Sequence, residues 1–154
     1  MRTQVAIIGS GPSGLLLEQL LAKQGIDNDN PERVSAEHVL GRIRAGILEQ
    51  EFVDLVHEAG VGDRMDREGE LHDSVQISVI GVVTHIDLKS LTGGKCVICY
   101  GQTEITRDLM EAREKSGLPT YYEANDVERP DVKHDRSFVT FENNGKTYRL
   151  ARGS

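Results

Sequence analysis

The fold is decided by the stretch Val5-Ala6-Ile7-Ile8-Gly9-Ser10-Gly11-Pro12-Ser13-Gly14-Leu15-Leu16-Leu17. An apolar run enters a turn that contains three glycines, and the turn opens into a second apolar run. This is the pattern GxGxxG in the order strand, turn, helix, which is typical of dinucleotide-binding βαβ units. The stretch therefore predicts an α/β protein whose Rossmann-like fold has a parallel βαβ core.

Each glycine of this turn has an expected role. Gly9 allows a sharp turn, Gly11 lets a pyrophosphate approach the backbone, and Gly14 lets the helix pack against the strand. The helix N-terminus adds free N–H groups and the positive end of its dipole. Glu32 follows at about the distance at which such folds place a carboxylate for the ribose hydroxyls. The alternatives are a turn without a ligand and, for Glu32, a solvated loop position.

The composition fits one domain over residues 1–154. Hydrophobic residues make up 38% of the 154 residues, the net charge is −7 and the mean hydropathy is −0.39. This acidic balance argues against a general role in binding nucleic acids or membrane surfaces. No run approaches the ~18 consecutive apolar residues of a membrane helix. We therefore expect a cytoplasmic protein that binds neither nucleic acid nor membrane.

Cys96 and Cys99 form a CxxC pair, which suggests a redox or zinc site. The surrounding residues read as a strand, however, and residues three apart on a strand point to opposite faces. A zinc site would also need further ligands, and the five histidines show no metal spacing. We therefore interpret both cysteines as thiols that pack as small hydrophobic side chains, and we predict no metal site.

The elements nearest the glycine turn are a strand at 4–8 and a helix at 12–23 that ends before Gly25. The second parallel strand should end at Glu32-Arg33. Its sequence, Ile26-Asp27-Asn28-Asp29-Asn30-Pro31-Glu32, is polar and contains a proline, whereas buried parallel strands normally read as apolar runs. We therefore expect this strand to be short, displaced or poorly formed. The apolar face of the first helix is expected at Leu16, Leu17, Leu20 and Leu21.

The rest of the chain alternates between short strands and two helices. The helices are predicted at 48–59 and 102–116, because glycines follow both, with charged connections at 63–69 and 133–136. The Asn143-Asn144-Gly145 segment predicts a hairpin turn, since asparagine and glycine accept positive φ. Strands, several of them antiparallel, are predicted at 75–80, 82–88, 96–100, 120–123, 138–142 and 146–150.

Arg33, Arg42 and Arg44 form a basic set in an acidic chain. The planar guanidinium group suits phosphates and carboxylates. Solvent-facing charge is the alternative, and for the Arg-Ile-Arg alternation between glycines the two interpretations weigh equally.

Five segments together resemble the flavoprotein aromatic hydroxylases. The resemblance extends over nearly the whole chain, to about Leu150, and two of the segments, VLGRIRAG and YGQTEITRDLMEAR, are far more specific than the glycine pattern. The segments are VAIIGSGPSGLLL, GID followed by Glu32-Arg33, VLGRIRAGILEQ, ID at 86–87, and YGQTEITRDLMEAR.

The resemblance implies a FAD-binding fold and a set of cofactor contacts. It implies that Gly9, Gly11, Ser13 and Gly14 hold the FAD pyrophosphate and that Glu32 holds the ribose. It places a segment of six residues along the flavin and makes Gln102 a further flavin contact. It also implies that NADPH is recognised transiently by Arg33, His38, Arg42 and Arg44, with NADPH against NADH left open because Val34 and His38 depart from the family pattern. The six residues of the flavin segment are Arg42, Ile43, Arg44, Ala45, Gly46 and Ile47.

The implied activity is that of an NAD(P)H-dependent flavin monooxygenase that hydroxylates 4-hydroxybenzoate to 3,4-dihydroxybenzoate. The family is much longer than 154 residues, and its substrate domain would follow Leu150. We therefore expect an incomplete FAD-binding portion that lacks a catalytic residue of its own, is inactive alone, and meets 4-hydroxybenzoate only if the substrate domain is supplied. The alternatives are a non-catalytic module that binds ADP or FAD, and a structural fragment that forms a homo-oligomer or needs a partner.

Overall fold

The computed structural model describes residues 1–42, 44–129 and 138–152. The predicted connection at 133–136 lies outside these residues. The chain forms two compact units, a first unit of Met1–Ile43 with Thr106–Ser154 and a second unit of Arg44–Ile105. The helices are α1 (Pro12–Lys23), α2 (Ala36–Gly41), α3 (Gln50–Ala59), α4 (Asp63–Glu68), α5 (Leu88–Leu91) and α6 (Gln102–Ser116). The strands are β1 (Arg2–Thr3), β2 (Val5–Ala6), β3 (Asn28–Pro31), β4 (Ile47–Glu49), β5 (Glu70–His72), β6 (Ser74–Val79), β7 (Val82–Asp87), β8 (Val97–Cys99), β9 (Thr120–Tyr121), β10 (Asn125–Glu128), β11 (Phe138–Asn143) and β12 (Lys146–Arg152).

The first unit contains the predicted parallel βαβ core, so the α/β fold class is confirmed. Strands β2, β3 and β9 form a parallel sheet in that order, and α1 connects β2 to β3. Of the strand predicted at 4–8, the structure has β2 at Val5–Ala6, which pairs with β3, and a separate strand β1 precedes it and pairs with β12. Helix α1 has the predicted bounds, and Gly25 follows it with φ +71°.

The polar second strand is central and buried. All four residues of β3 are buried, and Pro31 is its last residue, one before the predicted end. The amide of Gly9 donates to the Pro31 carbonyl (3.0 Å), so the proline still accepts a ladder bond although it cannot donate one. Of the three expected outcomes, a poorly formed strand is wrong, because hydrogen-bonding partners compensate for the polar side chains, whereas the strand is short, with four residues.

The first unit also contains a sheet in the order β1-β12-β11-β10. The hairpin between β11 and β12 turns at Asn144 (φ +50°) and Gly145 (φ +70°), as predicted. Beneath it lies a core cluster of Ala124, Phe141 and Leu150. The face of α1 differs from the prediction, since Leu15, Leu16 and Glu18 are buried whereas Leu17 is 46% exposed.

The second unit is built from antiparallel strands and short helices. Strands β4, β8 and β5 form one sheet, and β6 and β7 form a separate hairpin. The region 63–69 contains helix α4 instead of the predicted loop, because Met65 is fully buried and two acidic residues occupy the favourable first turn. Residues 47–49 form β4, so α3 begins two residues later than predicted. Within the described residues, the chain has no helix long and apolar enough to cross a membrane.

Candidate functional site

The glycine turn between β2 and α1 is closely packed at two of its three glycines. Gly9 has φ +107°, a conformation that side chains rarely adopt. A Cβ atom on Gly14 would lie 2.2 Å from the Gly9 carbonyl oxygen and 3.6 Å from a methyl of Ile7. These two glycines are therefore required by the turn itself and by the packing of α1 against β2.

Gly11 differs from these two glycines, because neither its backbone conformation nor its packing requires a glycine at this position. Its φ of −69° and ψ of 168° suit any residue, and a Cβ atom there would meet no atom of the described residues within 4 Å. The first bond of α1 runs from the Leu15 amide to the Gly11 carbonyl (3.0 Å), so the amides of Ser13 and Gly14 precede the helical ladder. Gly11 thus faces open space beside a helix N-terminus, where a pyrophosphate group fits.

Glu32 lies directly after β3 and contacts the same turn. Its Oε2 accepts a hydrogen bond from the Ser10 amide (2.6 Å), and its Oε1 accepts one from the Val34 amide (3.0 Å). A carboxylate has about four acceptor positions, so each oxygen can accept a further bond. Glu32 is half-buried beside the turn, a position that suits an acceptor for ribose hydroxyls.

Ser10 and Asn30 support the turn from below, and both are fully buried. The Ser10 hydroxyl donates to Asn30 Oδ1 (2.9 Å), and Asn30 Nδ2 donates to the Gly9 carbonyl (3.2 Å). Sequence reasoning missed this pair, since it interpreted the polar strand only as a conflict. The available signal was the alternation of Asn28 and Asn30, which places both amides on one face of a strand.

A buried ion pair joins α1 to α6 in the first unit. Glu18 is fully buried, Arg113 is 3% exposed, and Arg113 Nε lies 3.4 Å from Glu18 Oε2. Arg113 also donates to the Asn28 side chain and to the backbone oxygens of Asn28 (2.8 Å) and Pro119 (2.7 Å). Burial raises the pKa of Glu18 to about 7, although the positive charge of Arg113 acts in the opposite direction.

The predicted basic set is exposed. Arg33 follows β3 and Arg42 follows α2 in the first unit, and Arg44 lies at the start of the second unit. The predicted contact Ile43 lies outside the described residues. The exposed guanidinium groups are accessible to an anionic ligand, but their exposure also fits solvent-facing charge.

The second unit brings the predicted flavin segment close to the start of α6. A Cβ atom on Gly46 would lie 2.7 Å from Gly101 Cα, and the Tyr100 amide donates to the Gly46 carbonyl (2.7 Å). Gln102, the first residue of α6, directly follows this contact. Ala45 and Ile47 are exposed, and Ile47 pairs with a residue of β8. Gly46 is therefore explained by close packing, whereas the exposed Ile47 is free to contact a ligand.

The sequence matches the family model described as a FAD binding domain over residues 2–152. The chain therefore belongs to the FAD binding domain family, and the resemblance inferred from its motifs is confirmed. It is 51% identical over 150 residues to the p-hydroxybenzoate hydroxylase of Acinetobacter baylyi, an alignment that covers 97% of this chain and 37% of that enzyme.

Solved structures show the same fold at lower identity. The p-nitrophenol 4-monooxygenase of Pseudomonas putida superimposes with a TM-score of 0.82 at 18% identity, covering 97% of this chain and 39% of that one. PqsL of P. aeruginosa gives a TM-score of 0.79 at 21% identity, covering 99% of this chain and 41% of that one. The chain thus spans well under half of the length of the proteins that it resembles.

Proposed function

We propose that this chain is the FAD-binding domain, over residues 1–154, of an NAD(P)H-dependent flavin monooxygenase that hydroxylates 4-hydroxybenzoate to 3,4-dihydroxybenzoate. Membership of the FAD binding domain family supports the cofactor, and the 51% identity to a p-hydroxybenzoate hydroxylase supports the reaction. The reaction as a whole would need the substrate-binding part that the longer relatives contain.

The observation that carries the proposal is the open space beside Gly11. Two other glycines are explained by the protein itself, but at Gly11 neither the backbone conformation nor the packing requires glycine. A ligand that approaches the backbone closely would require it. The helix amides and the Glu32 carboxylate border this region, so it suits the adenosine diphosphate part of a dinucleotide.

Each proposed contact has a separate task in the bound state. The turn residues Gly9, Gly11, Ser13 and Gly14 would hold the pyrophosphate, and Glu32 would accept bonds from the ribose hydroxyls. When bound, FAD supplies the redox and oxygen chemistry of the reaction. For the flavin itself we propose contacts from Arg42, Ile43, Arg44, Ala45, Gly46, Ile47 and Gln102.

We propose that Arg33, Arg42 and Arg44, together with His38, recognise the nicotinamide coenzyme. All four side chains are exposed, and a guanidinium group forms paired hydrogen bonds with a phosphate. Arg33 is the residue whose charge suits a 2′-phosphate, which favours NADPH over NADH. The proposed cytoplasmic location and a homo-oligomer remain predictions.

A second candidate is a nucleotide-binding module without catalysis. It is favoured by one observation, namely that the glycine turn, the N-terminus of α1 and Glu32 all belong to the first unit. This unit contains every group proposed for the adenosine diphosphate part. Binding of ADP therefore does not by itself distinguish the two candidates.

The test is a titration of the purified chain with FAD, ADP and FMN, followed by flavin fluorescence and by thermal shift. The proposed function predicts that FAD binds more tightly than ADP and that FMN binds weakly. Binding of ADP with no gain for FAD supports the module instead, and binding of none of the three contradicts both. Addition of NADPH or NADH to the FAD-loaded chain then tests whether the domain alone allows flavin reduction. Faster loss of flavin absorbance with NADPH supports the proposed coenzyme, and no loss with either coenzyme means that the domain binds FAD without acting as a reductase.

A further inference from the structure

Asn30 uses both ends of its amide to hold the glycine turn. The side chain is fully buried at the centre of the parallel sheet. Its Oδ1 accepts from the Ser10 hydroxyl (2.9 Å), and its Nδ2 donates to the Gly9 carbonyl (3.2 Å). A central parallel strand ordinarily presents an apolar side chain at such a position.

The two peptide groups that enter the turn are fixed by the same strand. The Gly9 amide donates to the Pro31 carbonyl (3.0 Å), and the Ser10 amide donates to Glu32 Oε2 (2.6 Å). Together with the two bonds of Asn30, these bonds mean that Gly9 and Ser10 are held by three consecutive residues, Asn30, Pro31 and Glu32. The turn is therefore attached to β3 by side-chain bonds as well as by the backbone ladder.

The position of the Gly9 carbonyl matters for the helix. The Gly14 backbone lies so close to it that a Cβ atom would fall 2.2 Å from the oxygen. A shift of Gly9 would therefore move the first residues of α1, whose amides face the proposed pyrophosphate. The Asn30 amide acts on this carbonyl directly, although Asn30 itself lies beneath the turn.

We propose that Asn30 is a positioning residue, paired with Ser10, that holds the glycine turn in the conformation that receives a dinucleotide pyrophosphate. This inference rests on the proposed function, since it specifies how the same site is preorganised. An apolar pair at positions 10 and 30 would suit a buried strand. Replacement of both partners of the Ser10–Asn30 bond by apolar groups can be nearly neutral for stability, so the stability lost in the double variant comes from the Gly9 carbonyl, which no longer accepts from Asn30 Nδ2.

The test compares Asn30→Leu, Ser10→Ala and the double variant with the wild type. The matched control is Thr3→Val, since Thr3 is a buried residue of the same unit whose hydroxyl bonds only to the backbone oxygens of Val5 and Asp27. For each protein, urea unfolding gives the stability, and titrations give the affinities for FAD, ADP and adenosine. Adenosine has no phosphate, so it reports on the rest of the nucleotide site.

The proposal predicts that the double variant unfolds cooperatively at a moderately lower urea concentration, because the Gly9 carbonyl has lost its donor, and that it binds FAD and ADP roughly tenfold more weakly, the loss that corresponds to one hydrogen bond of about 1.4 kcal/mol. Its affinity for adenosine should change less than twofold, and Thr3→Val should change no affinity. Equal losses for ADP and adenosine, in proportion to lost stability, would show a merely structural role and overturn the proposal. If the wild type binds FAD and the double variant binds FAD and ADP equally tightly, the proposal is also overturned. If the wild type binds neither FAD nor ADP, the proposed function fails and the positioning role fails with it.

Discussion

Strand β3 and the β6–β7 hairpin both differ in burial from what their sequences predict, but in opposite directions. Strand β3 reads Asn-Asp-Asn-Pro and is buried at all four residues. The hairpin is rich in valine and isoleucine, yet Ile77 is 49% exposed, Val79 59% and Val82 67%. Its cross-strand pairs Val75–Ile86 and Val79–Val82 place these side chains on one face, and that face is not buried.

The difference teaches that neighbours along the sheet, more than composition, decide which strand is buried. Strand β3 has a parallel partner on each side, and its polar side chains find partners in Ser10, Arg113 and Tyr121. Among the described residues, the sheet of the hairpin contains only β6 and β7, and an isolated pair of strands buries little apolar area. Buried polar groups are tolerated when they are hydrogen-bonded. A hairpin with exposed apolar side chains can form without a further element covering them.

The largest effect is expected when β3 loses its main polar partner. Arg113→Met removes the bonds to Asn28 and the counterion of the buried Glu18, and breaking a buried ion pair in this way costs about 3–5 kcal/mol. Urea unfolding at pH 7.5 measures this loss. Lys115→Met, an exposed position on the same helix, is the control and should stay within about 0.5 kcal/mol. An equal effect of the two substitutions would show that the polar network around β3 contributes nothing.

The pH dependence of the free energy of unfolding tests the burial of Glu18, the partner of Arg113. The pKa of Glu18 is about 7 in the folded chain against an ordinary value of 4.5, so between these pH values the folded state binds a proton that the unfolded state has lost. Stability therefore falls as pH rises through this window, by up to about 1.4 kcal/mol per pH unit from this group.

Glu18→Gln removes this titration. Relative to the wild type, the variant should gain stability from pH 4.5 to pH 7 and show a constant difference above that range. Urea unfolding over pH 4.5–8 gives the difference. Glu111→Gln, an exposed position on α6, provides the baseline, and a pH-independent difference for Glu18→Gln would contradict a raised pKa.

A smaller effect is expected at the tip of the hairpin. Ile80 has φ +50° and is 99% exposed, a conformation that costs a β-branched residue about 1–2 kcal/mol. The hairpin of the first unit places Asn144 at the same turn position with the same φ. Ile80→Asn should therefore raise stability by about 1 kcal/mol, and Asn144→Ile should lower it similarly. Thermal unfolding measures both, and the absence of a gain in Ile80→Asn would exclude strain at this turn.

The smallest effect is expected on the hairpin face itself. Val79→Thr should change the free energy of unfolding by less than about 0.5 kcal/mol, because Val79 is 59% exposed. The same substitution at Val53, which is 2% exposed in the second unit, should cost about 1–3 kcal/mol. If both substitutions cost the same, the hairpin face is covered in solution and the contrast with β3 disappears.

Much of the fold could be predicted from local sequence. The bounds of α1 and α6 and the turn at Asn144 follow from apolar periodicity and from the positions of glycine and asparagine. Helix α4 could not be predicted in this way, because its charged sequence is held by one buried side chain, Met65. The prediction for β3 failed for the same physical reason, since the side chains of Ser10 and Tyr121, which bond to its polar side chains, lie 20 and 92 residues away in sequence.

Part of the candidate site could be predicted from the sequence. The glycine spacing and Glu32 follow from a local motif, and the structure does bring them together. The segment around Gly46 and the start of α6 were associated only through the family resemblance, because their contact depends on the pairing of β4 with β8. The alternation of Asn28 and Asn30 indicates two amides on one face of β3, but no local rule connects Asn30 to Ser10 on a separate element, so the pairing itself could not be predicted.

The space beside Gly11 carries the proposed pyrophosphate site, and the decisive measurement is the FAD affinity of Gly11→Ala against that of the wild type. We expect the wild type to bind FAD and the variant to bind it at least about tenfold more weakly, a loss of about 1.4 kcal/mol. The urea midpoints should be similar, because the new Cβ meets no atom within 4 Å in the part of the chain that the structure describes. A wild type that does not bind FAD, or a variant that binds it equally tightly, would contradict the account.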